Sequence, residues 1–335
     1  MQNTFTRRQG LKLAAALGAG VMAGLAFAPL AQAQDDYPNR PITVVVPFAT
    51  GGYNDRLARA FAPYLEKELG QPLTILNQEG AGAQLGHTYA LQQENDGYTV
   101  MLTSASPYIP LSILLQNAPY KLEDFTMINL PSRDYTLAAT SSDSELASMQ
   151  DVIAKLKEDP SSLSIGVQPA SADYANMMLT MQAAGIDPTK LRVVTYDGGG
   201  PARNATAGGQ VDVGFVGGEG FLPLKDKIKP LAMYAAEAPE WWPDAPLISA
   251  AGVQQDFVEG SQRGWAVATK LKTEQPEIYA KLAGAIERAS KNPEAIEALK
   301  KQELSTTWYG PEASQEAYLA NAAKMEKHVE LLKGE

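Results

Sequence analysis

Residues 42–69 read ITVVVPFATGGYNDRLARAFAPYLEKEL, and this stretch decides the fold. Ile42 to Phe48 is a β-branched apolar run, which is typical of a strand buried on both faces. Residues 49–55 form a glycine-containing turn. Apolar residues then recur at helical spacing from Leu57 to Leu69, and Gly70 follows where a helix should end. A strand, a turn and a helix in this order predict a mostly parallel α/β sheet with right-handed crossovers.

The same order recurs along the chain. We predict further strands at 73–77, 98–103, 163–167, 192–196, 211–216, 228–234 and 265–269, and further helices at 84–93, 149–157, 172–184, 202–207, 276–290, 293–302 and 312–332. Two α/β sets without a linker predict two lobes joined by crossing strands, near Leu137 to Thr140 and near Arg263 to Val267. We therefore expect one lobe from residues 35–138 plus 264–335, and a second lobe from 139–263.

The first 33 residues have the three parts of a secretory leader. They contain no acidic residue, they place three basic residues ahead of an apolar run, and they end on small residues at Ala31 and Ala33. Glycines and a proline interrupt the apolar run, which argues against a membrane-spanning helix. Thr6 to Lys12 resembles the twin-arginine signal, and an ordinary Sec leader is the alternative. We expect cleavage near Ala33 and export to the periplasm.

Composition excludes several kinds of partner. The chain has 28 basic and 38 acidic residues, and the leader takes three of the basic ones, so the mature net charge is 25 − 38 = −13. This charge disfavours nucleic acid and anionic membrane surfaces. The absence of cysteine excludes a lipid anchor on cysteine and fits an oxidising compartment without disulfides. A hydrophobic content of 45% indicates a globular protein.

Three glycine-containing turns share one design, at residues 50–55, 80–86 and 198–201. Each follows a predicted strand and opens a predicted helix. The carboxyl ends of parallel strands are where open α/β sheets bind ligands. A helix N-terminus offers free N–H groups and a partial positive charge, and glycine lets a ligand approach the backbone. These turns therefore predict an anion-binding site that needs no lysine. The alternative is that they are only tight turns.

Several ordered segments resemble the receptors of tripartite tricarboxylate transporters, also called Bug proteins. The first loop is similar to that family's VPFxxGGxxD, and residues 77–86 are similar to NxxGAGGxxG with Ala83 replacing the last paired glycine. Further similar segments are DGYT at 96–99, YxGxGPA at 196–202 and GGxVDV at 208–213. The order and spacing hold from about Tyr37 into the C-terminal helices.

This resemblance implies a two-lobed, periplasmic-binding-protein-like fold of type II, in which each lobe is a mostly parallel sheet flanked by helices. The ligand would lie in the cleft between the lobes. The protein would close on a small organic carboxylate and deliver it to membrane transporter subunits, without a cofactor or a metal. A dicarboxylate, tricarboxylate, aromatic carboxylate or amino acid all fit this interpretation. We expect a monomer, because a closing cleft needs free lobes.

The resemblance also implies the ligand contacts. On the first lobe these are Thr50, Gly51, Gly52, Tyr53 and Asp55, with Gln84, Ser104 and Ser106 as further candidates. On the second lobe they are Gln168, Ser171, Tyr196, Gly199 and Gly200, with Gly218 and Glu219 as additional possibilities. Tyr53 stands where the family has a small residue, so it either covers the ligand, stacks on an aromatic ring or points to solvent. We expect Trp265 to lie in the core.

Three arginines lie near the expected cleft: Arg133, Arg203 and Arg263. A bidentate arginine suits a second ligand carboxylate, and we include Arg203 among the candidate contacts. The alternative for each arginine is an ion pair with a surface acid.

Enzyme interpretations find little support. The sequence lacks a G-x-S-x-G elbow and a G-x-x-x-x-G-K-[ST] phosphate loop, and the dinucleotide fingerprint fails at its third glycine. The only histidines are His87 and His328. A serine–histidine pair around His87 stays open, although we read His87 as a capping or surface group. Two other functions remain: a ligand sensor that docks on a two-component kinase, and a periplasmic hydrolase.

Overall fold

The computed structural model describes residues 37–169, 171–196, 198–253 and 256–332. The predicted leader at residues 1–33 and its cleavage site lie outside the described residues, as does Asp197. Within the described residues the strands are β1 (Ile42–Val46), β2 (Leu73–Asn77), β3 (Thr99–Ser106), β4 (Phe125–Arg133), β5 (Thr136–Ser141), β6 (Ser164–Val167), β7 (Arg192–Thr195), β8 (Val213–Gly217), β9 (Ile228–Met233) and β10 (Gln262–Ala268).

The helices alternate with these strands. They are α1 (Tyr53–Leu69), α2 (Gln84–Leu91), α3 (Tyr108–Gln116), α4 (Met149–Glu158), α5 (Ala172–Ala183), α6 (Gly199–Ala207), α7 (Thr269–Glu274), α8 (Pro276–Lys291), α9 (Pro293–Lys300), α10 (Gly310–Lys327) and α11 (Val329–Leu332). Short 3-10 turns join them, and the one at Glu219–Lys227 follows β8 directly.

The strands form two five-stranded sheets. The first has the order β2-β1-β3-β10-β4, and the second has the order β7-β6-β8-β5-β9. In the first sheet β10 runs antiparallel to both of its neighbours, and in the second sheet β5 does the same. The other pairings are parallel. The prediction of two mostly parallel sheets flanked by helices is confirmed.

Each sheet has its own apolar core, and we call a sheet together with the helices packed on it a lobe. The first lobe contains α1 to α3 and α7 to α10, and its core includes Met101, Phe125 and Tyr318. The second lobe contains α4 to α6, and its core includes Ile165, Phe215 and Tyr234. A smaller apolar cluster with Leu111, Leu179 and Met325 joins elements of both lobes.

The chain changes sheets twice. Only Asp134 and Tyr135 separate β4 in the first sheet from β5 in the second. The chain returns between Met233 at the end of β9 and Gln262 at the start of β10. The first crossing is thus two residues long, and the N–H of Asp134 donates to the carbonyl of Ser261 at 2.9 Å, so the two crossings lie side by side. The lobe boundaries at residues 138, 139, 263 and 264 stay a prediction.

Several elements differ from the predictions. Helix α1 begins at Tyr53 rather than Leu57, and α6 begins at Gly199 rather than Ala202. The residues between were predicted to lie in loops, but they form the first turn of each helix. Pro201 fits there because the first turn needs no N–H from it. The long C-terminal helix predicted at 312–332 is interrupted at His328. Neither α3 nor β4 was predicted.

Candidate functional site

The first glycine turn leads into α1. Gly51 has a left-handed φ of +83°, and Gly52 precedes the helix without a side-chain cap. The Asp55 carboxylate accepts hydrogen bonds from the Gly51 N–H at 2.8 Å and from Nε of Arg59 at 2.9 Å. Burial alone would raise the pKa of Asp55, but these hydrogen bonds outweigh it and lower that pKa. Asp55 therefore holds the turn in place, and the exposed Thr50 lies on its outer side.

The other candidates of the first lobe have partners inside that lobe. Ser104 accepts a hydrogen bond from Nδ2 of Asn54 at 2.9 Å. Ser106 accepts one from Nδ2 of Asn321 at 2.8 Å, and both serines are buried. Gln84 lies at the start of α2 and is partly exposed. The two serines thus tie β3 to α1 and α10.

Tyr53 points towards the second lobe and not to solvent. Its hydroxyl lies 3.3 Å from Oε1 of Glu219, and it accepts a hydrogen bond from the N–H of Ser305 at 3.1 Å. The guanidinium of Arg263 lies over its ring, 4.7 Å from the ring centre. Burial, followed by the negative charge of Glu219, raises the pKa of Tyr53.

Glu219, at the start of the turn after β8, is a second-lobe carboxylate held by first-lobe side chains. Its Oε1 accepts from the Tyr53 hydroxyl and from Oγ of Ser305 at 2.8 Å. Its Oε2 accepts from Oγ of Ser132 at 3.1 Å and from Nη1 of Arg263 at 3.2 Å. Both oxygens are thus saturated by the opposite lobe, and burial raises the pKa of Glu219.

Arg263 joins this group to the crossing segments. Its Nη2 lies 3.2 Å from Oδ2 of Asp134, and the Arg263 and Asp134 side chains are 15% and 4% exposed. Oδ1 of Asp134 accepts from the N–H of Glu219 at 2.9 Å. Burial lowers the pKa of Arg263, but Asp134 and Glu219 outweigh it and raise that pKa. Arg263 therefore forms ion pairs, but with two buried carboxylates and not with the surface acid that the alternative expected.

The second lobe contributes the start of α5. Ser171 caps this helix: its Oγ accepts from the N–H of Tyr174 at 3.1 Å and donates to the carbonyl of Gln168 at 2.7 Å. Gln168, Ser171 and Asp173 line a small cavity between the lobes, together with Pro107, Tyr108, Ala172, Gly217 and Ser261. Asp173 accepts from Oγ1 of Thr136 at 2.6 Å. Burial raises the pKa of Asp173 to about 6.

The start of α6, like that of α1, has no side-chain cap. Gly199 and Gly200 form its first turn, and Gly198 precedes it without a side-chain cap. Arg203 on the same helix donates from Nη1 to the carbonyl of Gly217 at 3.3 Å. A Cβ at Gly220 would lie 2.3 Å from Cζ of Arg203, so glycine is needed there for the guanidinium to lie against the backbone. Tyr196 packs on the apolar cluster beneath this turn.

The sequence profile of the tripartite tricarboxylate transporter family receptor, TctC, matches residues 57–333. The chain belongs to this family. A protein encoded in the TAR-I ttuE–ttuC′ intergenic region of Agrobacterium vitis is 30% identical over 276 residues, which are 80% of this chain and 76% of that protein. The resemblance seen in the sequence is confirmed.

Solved structures agree with the fold. A TctC solute binding protein from Polaromonas, without a ligand, has a TM-score of 0.74 and 23% identity, and the match covers 88% of this chain and 99% of that one. MatC from Rhodopseudomonas palustris, with bound malate, has a TM-score of 0.65 and 26% identity over 89% of this chain and 99% of its own. This TctC-family chain thus has the two-lobed fold of solute-binding proteins.

Among the residues singled out in the sequence, His87 was interpreted wrongly. It is fully buried rather than capping a helix or lying at the surface, with Nε2 2.7 Å from Oγ1 of Thr103 and the Tyr120 hydroxyl 3.4 Å from Nδ1. Burial lowers the pKa of His87 to about 3, so the ring is neutral. The prediction for Trp265 is confirmed, because this side chain is 1% exposed in the core. Arg133 stacks on Tyr309, with 4.0 Å between its Cζ and the ring centre.

Two negative findings apply to the part of the chain that the structure describes. There, no group of three or more histidine, aspartate or glutamate side chains is placed to bind a metal ion. No helix in the same part is both long and apolar enough to cross a membrane.

Proposed function

We propose that this protein is a periplasmic receptor that captures a small organic carboxylate between its two lobes and delivers it, chemically unchanged, to the membrane subunits of a tripartite tricarboxylate-type transporter. The observation that carries this proposal is the pair of uncapped, glycine-rich helix starts, α1 from the first lobe and α6 from the second, in a chain of the TctC receptor family. Free N–H groups at such ends favour anions.

The mechanism is closure of the lobes on the ligand. A carboxylate that touches both helix starts binds the closed form better than the open form, so it shifts the equilibrium towards closure. The adjacent crossings at Asp134 and Ser261 suit a hinge motion. The lobes would divide at residues 35–138 plus 264–335 and 139–263, and a monomer would suffice. The transporter would then recognise the closed form.

A carboxylate ligand is supported by two observations. The cleft contains Arg203, a guanidinium without a carboxylate within 4.0 Å among the described side chains. The related MatC has bound malate. The candidate contacts would be Thr50, Gly51, Gly52, Tyr53, Asp55, Gln84, Ser104, Ser106, Gln168, Ser171, Tyr196, Gly199, Gly200 and Arg203. Because Asp55, Ser104 and Ser106 have internal partners, they would shape the cleft rather than bind the ligand directly.

The test is ligand binding by exported protein. The full-length chain is expressed in a Gram-negative host and purified from the periplasmic fraction, where N-terminal sequencing checks cleavage near Ala33. Bound ligand is removed by unfolding and refolding, and melting temperature is measured with malate, adipate, citrate, benzoate and amino acids. A ligand at 100 times its Kd adds about 2.7 kcal/mol, which raises the melting temperature by about 5 °C.

A shift with one chemical class, with the ligand recovered unchanged by mass spectrometry, supports the receptor. Conversion of the ligand would instead indicate an enzyme. No shift with any member of the panel, from protein shown to be folded, contradicts the proposal.

A further inference from the structure

Two side chains of the second lobe have opposite charges and, within the described residues, form no ion pair. Asp173 lines the cavity between the lobes, and Arg203 lies at the start of α6. Both side chains interact with Gly217. Arg203 donates to the Gly217 carbonyl at 3.3 Å, and the backbone N–H of Gly217 favours the ionised form of Asp173. Among the described side chains, neither has an opposite charge within 4.0 Å.

This arrangement leaves two charges poorly compensated. Burial raises the pKa of Asp173 to about 6 and lowers the pKa of Arg203, so both charged forms are disfavoured in the ligand-free protein. Arg263 differs, because two carboxylates lie 3.2 Å from its guanidinium. The second lobe therefore has a carboxylate and a guanidinium that attract each other without a direct ion pair among the described side chains, while the neighbouring charges of the crossings form direct ion pairs.

The separation of the two groups leaves room for a small zwitterion. They lie more than 4.0 Å apart, since no ion pair joins them, and Arg203 donates to the carbonyl of Gly217, a residue that lines the same cavity as Asp173. A charge-assisted hydrogen bond spans about 2.8 Å, so a small molecule that carries an ammonium group close to a carboxylate can bond both groups at once. The ammonium and carboxylate groups of an α-amino acid are joined through a single carbon.

We propose that Asp173 and Arg203 recognise an α-amino acid, whose ammonium group donates to Asp173 and whose carboxylate accepts from Arg203 and the N–H groups of Gly199 and Gly200. This inference rests on the proposed receptor function and narrows its ligand class.

The charge balance of the cleft favours the same class. Asp134, Asp173 and Glu219 face Arg203 and Arg263, which gives 2 − 3 = −1 when all are ionised. A zwitterion leaves this balance unchanged. A dicarboxylate would bring it to −3 and place a carboxylate near Asp173 without a donor, which is costly in a partly buried site. Asp173 thus selects against acids that lack an ammonium group.

The test uses matched pairs of one carbon skeleton: alanine with propionate, phenylalanine with 3-phenylpropionate, aspartate with succinate, and glutamate with glutarate. Calorimetry gives Kd for each member with the purified full-length protein after removal of bound ligand. For every skeleton that binds, the amino acid should bind at least tenfold more tightly than its deaminated partner. In D173N, which keeps the shape of the side chain, this ratio should fall to within about threefold.

A matched control is Asp159→Asn, because Asp159 is an exposed aspartate of the same lobe whose carboxylate, among the described residues, bonds only Ser161. This variant should keep the wild-type ratio. Equal or tighter binding of the deaminated acids by wild-type protein would overturn the zwitterion inference while leaving the carboxylate receptor intact. A ratio that survives in D173N would overturn the role of Asp173. Binding of no member of these pairs would overturn this inference alone, because the receptor function is tested separately with malate, adipate, citrate and benzoate.

Discussion

The two lobes build their sides of the cleft from the same motif, a glycine turn that opens a helix, but they use its polar groups differently. In the first lobe, Asp55 occupies the Gly51 N–H, and Ser104 and Ser106 are bonded to neighbouring helices. In the second lobe, Asp173 and Arg203 have no ion pair among the described residues. The polar side chains of the first lobe are bonded within their own lobe, whereas Asp173 and Arg203 of the second lobe are still able to pair with a ligand.

This difference distinguishes residues that hold the structure of the cleft from residues that bind the ligand. A hydrogen bond already made within a lobe keeps its geometry whether or not a ligand is present, which preorganises the cleft. A buried charge without a partner costs free energy until a ligand pairs with it. We therefore expect changes at the saturated charges to act on stability, and changes at Asp173 and Arg203 to act on binding.

The largest effect should come from Arg263, the cation that two carboxylates share. Arg263→Met leaves Asp134 and Glu219 buried and close together without a positive charge, so we expect a loss of about 3–5 kcal/mol in the free energy of unfolding. Urea unfolding of ligand-free protein measures it. The control is Arg288→Met, which removes an ion pair with Glu68 whose arginine side chain is 59% exposed, and should cost less than about 1 kcal/mol. Equal losses in the two variants would contradict the saturated cluster.

Glu219 tests whether that cluster also holds the lobes together. Glu219→Ala removes the contacts to Tyr53, Ser132, Ser305 and Arg263, and we expect a loss of about 2–3 kcal/mol. Because these contacts cross between the lobes, the ligand-free variant should also have a larger radius of gyration in small-angle X-ray scattering. Glu237→Ala, at an exposed glutamate of the second lobe, should change neither quantity. An unchanged radius for Glu219→Ala would limit Glu219 to a stabilising role.

The alternation of strands and helices was predictable because it depends on local periodicity. The segments that were missed depend on distant partners. Strand β4 contains Pro131 and polar residues, and it is stabilised by contacts such as that from the N–H of Leu130 to Oγ of Ser314, 184 residues away. Helix α3 precedes β4 in the chain and is buried near its N-terminus. The first residues of α3, Tyr108-Ile109-Pro110, show no helical periodicity. Burial against distant parts of the chain therefore determines the secondary structure of both β4 and α3.

The candidate site was predicted in part for the same reason. Glycine turns and helix starts are visible as motifs, and they lead to Tyr53, which bonds Glu219 of the other lobe, and to Ser171, which lines the cavity between the lobes. The sequence analysis missed Asp134 and Asp173. A site for an anion is not expected to contain carboxylates unless their positive partners are known. Those partners lie 129 and 37 residues away in the sequence. No short pattern could show that Asp134 is neutralised and Asp173 is not.

Replacing Asp173 should have a smaller effect on the free energy of unfolding, and the size of this effect should depend on pH. Its pKa is raised from the usual 3.8 to about 6 by burial, so ionisation disfavours the folded state. This penalty is absent below pH 4, grows as pH rises, and is complete above about pH 6. Asp173→Asn cannot ionise, so at pH 8 the ligand-free variant should be more stable than wild type by about 1–2 kcal/mol, and the gain should vanish at pH 4.

Urea unfolding at the two pH values measures this difference. Asp159→Asn provides a control of opposite sign, because hydrogen bonds from Ser161 lower the pKa of Asp159 and its ionised form favours folding. A gain for Asp173→Asn that is the same at both pH values would show that Asp173 is not the ionising group.

The smallest effect compares two helix caps of the second lobe, one at the cleft and one remote from it. Ser171 caps α5 by accepting from the N–H of Tyr174, and Ser148 caps α4 by accepting from the N–H of Asp151. Replacing either serine by alanine should cost about 1 kcal/mol in the free energy of unfolding, since each loses one cap.

Ligand affinity should separate the two variants. Ser171 lines the cavity and fixes the first turn of α5, which carries Asp173, whereas Ser148 lines no part of that cavity. We expect Ser171→Ala to weaken the tightest-binding ligand of the panel about threefold to tenfold, and Ser148→Ala to leave its Kd unchanged. Since the free energy of unfolding should fall by the same amount in both variants, a difference between their Kd values would show that the position of Asp173 affects ligand binding. Equal weakening in both would mean that affinity follows the stability of the whole lobe, and the distinction between saturated and recognising groups would then fail.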